Sequence, residues 1–246
     1  MTGSINESRD GSIVTLTISR PDKLNSVTRP MLDDFSKKVE RYTNDPEVTA
    51  VVFTGEGDRA FSAGFDMDTV KGLKGQEKED FFKALEDVVR VIRTAKSCIT
   101  LAAVNGYAVG FGSIVAIACD FRFFSEDAKL RLPEVQLSIF PGAGAASNLL
   151  HLVGPSHAKD ILLTGRSIPA REAKSMGLAN RIYPKEQLMT QAKEFLKDLL
   201  EKDCRILLNT KNLVDAMTGK DYGDAAELEA AYLEEWLLSE MEEDCE

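Results

Sequence analysis

The sequence predicts an α/β fold in which a strand-rich first half, with helices between its strands, precedes a helical C-terminal portion. Two short apolar runs, Thr49–Thr54 and Ile99–Val104, have the composition of strands that are covered on both faces. Another strand, Ile13–Ser19, alternates apolar and hydroxyl residues, as a half-buried strand does. After Pro141 the pattern changes to helices with Gly or Pro between them.

Helices between the strands are indicated by apolar residues at helical spacing. One begins near Pro30, a residue type suited to a first helical turn, and its stripe consists of Leu32, Phe35, Val39 and Tyr42. The stripe of the next consists of Phe81, Leu85, Val89 and Ile92. An apolar helix at Ile114–Ala118 and a strand at Phe121–Ser125 follow. Later helices are expected at residues 142–152, 157–163, 170–176, 187–201, 205–217 and 225–241.

Composition excludes several classes of function. With 40 acidic and 30 basic residues, the net charge is -10, which argues against a nucleic-acid partner and against an anionic membrane surface, but leaves room for an anionic small molecule that needs only a few local donors. No stretch approaches the ~20 apolar residues of a membrane span. The four cysteines show no disulfide or metal spacing, and the N-terminus shows no signal pattern, so we expect reduced thiols and a cytoplasmic location.

Three short segments are candidates for chemistry. The first is AFSAGFD at Ala60–Asp66, directly after a buried strand and a flexible loop. The small residues Ser62, Ala63 and Gly64 would let a ligand approach the backbone, where the N–H of Phe65 could donate. A plain turn is the alternative.

The second segment, NGYAVGFGS at Asn105–Ser113, lies between a buried strand and an apolar helix. A helix start offers unpaired N–H groups and the positive end of the helix dipole, which suit a developing oxyanion. Glycines that serve only tight packing between strand and helix are the alternative.

The third segment, LPEVQL at Leu132–Leu137, places Glu134 in apolar surroundings. Burying a carboxylate is costly, and an apolar setting raises its pKa toward the range that is useful for proton transfer. An ordinary solvated glutamate is the alternative. Two backbone donors and one such carboxyl are the minimum needed to remove a proton next to a thioester carbonyl.

Five blocks in order resemble the crotonase (enoyl-CoA hydratase/isomerase) family along nearly the whole chain. They are RPDKLNSVT, AFSAGFD, AAVNGYAVGFGS, LPEVQLSIFPGAGA and LLTGRSIPAREAKSMGLANRIYP. The resemblance implies an α/β fold built as a spiral of ββα units, followed by a C-terminal helical region. On this basis we expect a core at residues 1–190, an oligomerisation region at 191–246, and a homotrimer or a dimer of trimers.

The resemblance also implies a site. Family members bind acyl-CoA thioesters and polarise the thioester carbonyl with two backbone N–H groups, which here match Phe65 and Phe111. The stretch Ser62–Asp66 would contact the adenine end and the thioester. Asp22, Lys23 and Leu24 would lie along the CoA phosphates or pantetheine. Coenzyme A is part of the substrate, and no metal or redox cofactor is expected.

The chain departs from the hydratase pattern at one position. Hydratases of the family hold water with two glutamates, of which one matches Glu134 and the other falls at Ile114, a residue that cannot accept a hydrogen bond. Isomerases that shift a 3-enoyl double bond commonly keep only the acid that matches Glu134. Another isomerase subgroup has an aspartate where this chain has Gly142.

The sequence therefore predicts a Δ3,Δ2-enoyl-CoA isomerase in which Glu134 is the single base and Phe65 and Phe111 supply the oxyanion hole. In this interpretation Ile114 faces the acyl group and helps exclude water. A hydratase with an incomplete glutamate pair, or an acyl-CoA-binding protein without catalysis, are the alternatives.

Overall fold

The computed structural model describes residues 3–243, which separate after Asp198 into two compact units. The first unit contains every strand of the described residues, and the second unit is helical. The predicted boundary after residue 190 lies inside the helix Leu188–Leu200. The expected oligomerisation role of the C-terminal region stays a prediction.

The larger sheet has six strands in the order β1–β2–β3–β5–β7–β10. Its strands are β1 (Ser4–Asp10), β2 (Ile13–Ser19), β3 (Ala50–Gly55), β5 (Ile99–Val104), β7 (Phe121–Ser125) and β10 (Arg181–Tyr183). Strand β1 pairs antiparallel with β2, and the other pairings are parallel. Every residue of β3 and β5 is buried, which confirms the interpretation of these two apolar runs as covered strands.

The smaller sheet has the order β4–β6–β8–β9. Its strands are β4 (Ala60–Ser62), β6 (Tyr107–Val109), β8 (Lys129–Arg131) and β9 (Ser167–Pro169). Successive strand pairs, β3 with β4, β5 with β6 and β7 with β8, place one strand in each sheet, so the chain repeats a two-strand unit. This is the predicted α/β architecture. Because β4, β6 and β8 are parallel, their carboxyl ends lie at one edge of the smaller sheet.

The described helices are α1 (Arg29–Thr43), α2 (Met67–Lys71), α3 (Gly75–Arg93), α4 (Phe111–Ala118), α5 (Ala145–Thr164), α6 (Ala170–Ser175), α7 (Leu188–Leu200), α8 (Cys204–Met217) and α9 (Tyr222–Glu243). The predicted stripes of α1 and α3 are buried. Helix α5 joins two predicted helices across a kink at Gly154, where φ is 71° and Pro155 follows. Helix α4 begins three residues before the predicted start, so Ile114 lies one turn inside it.

No helix among residues 3–243 is both long and apolar enough to cross a bilayer. Within the same residues, Cys98, Cys119 and Cys204 form no disulfide. The remaining cysteine, Cys245, lies outside the described residues.

Candidate active site

Three loops meet at the carboxyl edge of the smaller sheet. The segments that follow β4, β6 and β8 carry the three stretches that were singled out in the sequence. Together with α2, α3 and the segment before α5, they bound a cavity of about 120 Å³. The parallel order of the strands therefore brings together residues that lie up to about 80 positions apart in the chain.

The N–H of Phe65 is left open by the way its loop is held. The segment at 24–27 binds this loop on both sides of Phe65. Ala63 N–H donates to the Leu24 carbonyl at 2.9 Å, and Asp66 N–H donates to the Val27 carbonyl at 2.9 Å. Val27 and Phe65 form an isolated parallel bridge, in which the Phe65 N–H is not used. Among the described residues this N–H has no hydrogen-bond partner, so a ligand can accept its bond.

The second N–H belongs to Phe111, the first residue of α4. First-turn N–H groups have no partner within a helix, and no acceptor for this one lies among the described residues. Gly64 is close to it: a β-carbon on Gly64 would lie 3.9 Å from the Phe111 nitrogen and 3.1 Å from the Val109 carbonyl oxygen. Gly64 also has φ of 94°, which favours glycine. The two open N–H groups thus come from adjacent loops.

The rings of Phe65 and Phe111 anchor these loops in the core. Their centroids are 5.0 Å apart, and the Phe111 ring also packs edge-on against Phe35 at 5.5 Å. The Phe111 side chain is buried, with 1% exposed. The Phe111 ring therefore both lines the cavity and forms part of the hydrophobic core.

Glu134 begins the 3-10 turn Glu134–Leu137 after β8 and lines the cavity. Only 9% of it is exposed, so it is not a solvated loop residue. Burial raises the pKa of its carboxyl, and a backbone hydrogen bond partly opposes that rise. The buried Oε2 has no hydrogen-bond partner in the described structure. A carboxyl in this state is suited to exchanging a proton with a ligand.

The rest of the cavity wall is apolar. Of the described residues that line it, Glu134 alone has an ionisable or polar side chain. Ile114 is 4% exposed and forms part of this wall. Gly142 also lines the cavity, and a β-carbon there would meet no atom within 4 Å, so the chain has room for a side chain at this position but supplies none.

Several predicted residues lie beside the cavity rather than in its wall. Ser62 is fully buried, and its hydroxyl donates to the Asn25 carbonyl at 2.8 Å. Asp66 accepts from Arg20 at 2.6 Å and caps α2 through the Asp68 N–H at 3.0 Å. The hydrogen bond from Arg20 lowers the pKa of Asp66. The structure thus gives both side chains a role in holding the loop.

Asp22 and Lys23 lie in an exposed 3-10 turn, and Leu24 follows with φ of 50°. Leu24 is joined to the site through the bond that its carbonyl accepts from Ala63, whereas Asp22 and Lys23 do not line the cavity. Their expected contact with the CoA phosphates stays a prediction.

Sequence reasoning missed most of the apolar wall. The residues that it did not assign to the site are Met67, Val70, Phe82, Leu85, Val109, Gly110, Pro133, Leu137, Ile139, Phe140 and Ala143. Leu85 was expected only as core. Phe82 lies next to the buried stripe of α3. An aromatic residue outside that stripe was the signal in the sequence that could have assigned it to a binding site. Within the described residues, no cluster of three or more His, Cys, Asp or Glu could hold a metal ion.

Glu134→Gln is expected to change how stability depends on pH. Because the folded protein raises the pKa of Glu134, folding is favoured while this group is protonated and loses that advantage as the pH rises through the raised pKa. The free energy of unfolding of Glu134→Gln should therefore gain on that of the wild type as the pH rises from below the usual carboxyl pKa of about 4.3 toward neutrality. Urea unfolding across this range measures it.

The control for that measurement is Glu126→Gln, the same change at an exposed glutamate after β7. A difference between Glu134→Gln and wild type that stays constant with pH, or falls as the pH rises, would contradict a raised pKa at Glu134.

Known proteins resemble this chain in sequence and structure. A family model described as enoyl-CoA hydratase/isomerase matches residues 8–243. A crotonyl-CoA hydratase of Syntrophomonas wolfei is 35% identical over 194 residues, which are 79% of this chain and 74% of that protein.

Two solved structures show the same fold. An enoyl-CoA hydratase of Bacillus anthracis superposes with a TM-score of 0.89 at 27% identity, covering 94% of this chain and 90% of the other. A Thermobifida fusca protein solved in complex with CoA gives a TM-score of 0.88 at 27% identity, covering 97% of this chain and 95% of the other.

Proposed function

Since this chain belongs to the enoyl-CoA hydratase/isomerase family, we propose that it is an acyl-CoA enzyme and that its reaction is the shift of a 3-enoyl double bond to the 2-position. One observation carries the proposal: Glu134 is the sole polar side chain among the described residues of the cavity wall. A double-bond shift needs one group that takes and returns a proton. Hydration needs a water molecule that is held and activated as well.

In the proposed reaction the Glu134 carboxylate removes a proton from C2 of the acyl group. The C–H electron pair forms the C1–C2 double bond, and the carbonyl pair moves to oxygen, giving a dienolate. The N–H groups of Phe65 and Phe111 donate to this oxygen. Preorganised donors of this kind stabilise a charge that develops in the transition state.

The same carboxyl group, now protonated, returns the proton to C4. The oxygen pair restores the carbonyl, the C1–C2 pair forms the C2–C3 double bond, the C3–C4 pair forms the new C4–H bond, and Glu134 is a carboxylate again. The balance requires no water, oxidant or second base. An apolar wall that includes Ile114 suits this chemistry because water in the cavity would compete for the intermediate.

The second candidate is hydration of a 2-enoyl-CoA, and the names of the relatives favour it. The two candidates are separated by measuring, with the same preparation, isomerisation of a 3-enoyl-CoA and hydration of a 2-enoyl-CoA. We expect isomerisation to exceed hydration. Efficient hydration with no action on 3-enoyl-CoA would overturn the proposal.

Ile114→Glu should move the activity from isomerisation toward hydration. A second carboxylate in the wall would accept hydrogen bonds and admit a water beside Glu134. We expect hydration of 2-enoyl-CoA to rise above a low wild-type level and isomerisation to fall. Burial of the new acid should cost roughly 1–3 kcal/mol of stability or more, so folding is checked first.

The matched control is Ile114→Gln, which adds similar bulk and polarity without a base. If the Gln variant gains as much hydration as the Glu variant, the carboxylate is not the cause. If neither variant changes the ratio of the two activities, Ile114 does not face the reacting carbons.

A further inference from the structure

The Oε2 atom of Glu134 has no hydrogen-bond partner among the described residues, so no other side chain holds the carboxyl in place. Its position follows from the backbone of the turn Glu134–Leu137 that carries it. Inside this turn, Gln136 N–H donates to the Pro133 carbonyl at 2.9 Å, and Ile139 N–H donates to the Glu134 carbonyl at 2.9 Å. These bonds shape the turn but do not attach it to the rest of the site.

Gln136 supplies the attachment. Its side-chain oxygen accepts from the Arg131 guanidinium, and its amide nitrogen donates to the Thr164 carbonyl at 2.6 Å. Arg131 Nε donates to the Gly165 carbonyl at 2.9 Å. Gly165 caps the C-terminal end of α5 with φ of 59°, and a β-carbon there would lie 3.0 Å from the Gln136 amide carbon. Arg131, Gln136, Thr164 and Gly165 thus form a connected unit, which we name the Arg131 brace.

The backbone of Arg131 is attached to the other half of the site. Its carbonyl accepts from Gly110 N–H at 3.0 Å and from the buried Ser113 hydroxyl at 2.8 Å. Gly110 immediately precedes Phe111, so these bonds hold the start of α4. The backbone of Arg131 therefore contacts the turn that presents the Phe111 N–H. Its side chain contacts the turn that carries Glu134.

We infer that the Arg131 brace is a positioning device that sets the Glu134 carboxyl at the correct distance from the oxyanion donor Phe111. This inference rests on the proposed role of Glu134 as the base. Arg131 and Gln136 are not in the cavity wall, so they act through Glu134 and not on the substrate. A displacement of about 1 Å at a reacting group can cost a factor of about 10² in rate.

The test uses exchange of the C2 proton of butyryl-CoA in deuterated water, followed by NMR. This exchange reports proton removal whether the enzyme is an isomerase or a hydratase. For Arg131→Met and for Gln136→Leu we expect kcat to fall about tenfold, with KM changed less than about twofold. The double variant should be no worse than the more impaired single variant, because each change breaks the same brace.

Two further variants separate geometry from charge and from stability. Arg131→Lys keeps the positive charge but cannot make both guanidinium bonds, so it should remain impaired. Arg9→Met is the matched control: Arg9 donates to the Gly11 carbonyl and to Glu47 in the same two-partner manner, and it lies on β1. Its kcat should equal that of the wild type.

Wild-type kcat in Arg131→Met, an effect on KM alone, full activity of Arg131→Lys, or an equal loss in Arg9→Met would each overturn the inference. If Arg131→Met does not fold, the exposed Gln136→Leu decides by the same criteria. Glu134→Gln is measured in parallel. If that variant exchanges the proton as fast as the wild type, the proposed function fails, whereas an inactive Glu134→Gln beside a fully active Gln136→Leu overturns the brace alone.

Discussion

Glu134→Gln should lower turnover of enoyl-CoA by about 10²- to 10⁴-fold, because general acid–base catalysis is typically worth this much and one carboxyl carries both proton transfers here. Gln has nearly the same size as Glu and should occupy the same buried position in the cavity wall. Binding of CoA, measured by calorimetry with a saturated acyl-CoA, should therefore change little. The loss should appear in kcat and not in KM.

Glu126→Gln controls for that experiment, since it makes the same chemical change at an exposed site after β7. It should keep wild-type turnover. Near-wild-type activity in Glu134→Gln would remove Glu134 from the mechanism. A loss of acyl-CoA binding that matches the loss of turnover would instead assign Glu134 to binding.

Phe111→Pro should reduce kcat by about 10²- to 10³-fold relative to Phe111→Ala, because proline has no N–H and one oxyanion donor is commonly worth about 2.7–4 kcal/mol. Position 111 is the first residue of α4, where proline is tolerated in a helix. Phe111→Ala keeps the N–H. Steady-state kinetics on both folded variants measures the effect of this single donor.

The control is needed because both substitutions remove a ring that packs against Phe35 and Phe65. Loss of a buried Phe side chain costs about 3–5 kcal/mol of stability, so both variants should melt earlier than the wild type. Both variants should be assayed at a temperature below the lower of their two melting temperatures. Equal kcat in the folded Ala and Pro variants would exclude the Phe111 N–H as an oxyanion donor.

The sequence by itself determined the features that depend on local pattern. The apolar runs of β3 and β5 predict buried strands, and the stripes of α1 and α3 predict the buried helix faces, because burial follows the period of each element. One candidate donor and the candidate base were found in the same way: small residues before Phe65 indicate open backbone, and an acid beside Pro133 in an apolar stretch indicates a buried carboxyl. Phe111 was matched to the second donor through the family resemblance, because the local pattern placed the start of the helix at Ile114.

Features that arise from contacts between distant residues could be known only from the tertiary structure. Side chains of α2, α3 and the segment before α5 enclose the cavity, and apart from Phe82, which lies off the buried stripe of α3, their own segments do not mark them as cavity residues. Ser62 and Asp66 look like ligand contacts in the sequence, but their partners are Asn25 and Arg20, which lie 37 and 46 positions away.

The short strands of the smaller sheet, at three residues each, are below the length at which alternation identifies a strand. Their parallel pairing nevertheless brings Phe65, Phe111 and Glu134 to one edge. The bond from Arg131 to the Gly165 carbonyl spans 34 positions and attaches β8 to the end of α5. Such placement depends on which surfaces meet when the chain packs, and a local pattern of residues carries no information about its distant partner.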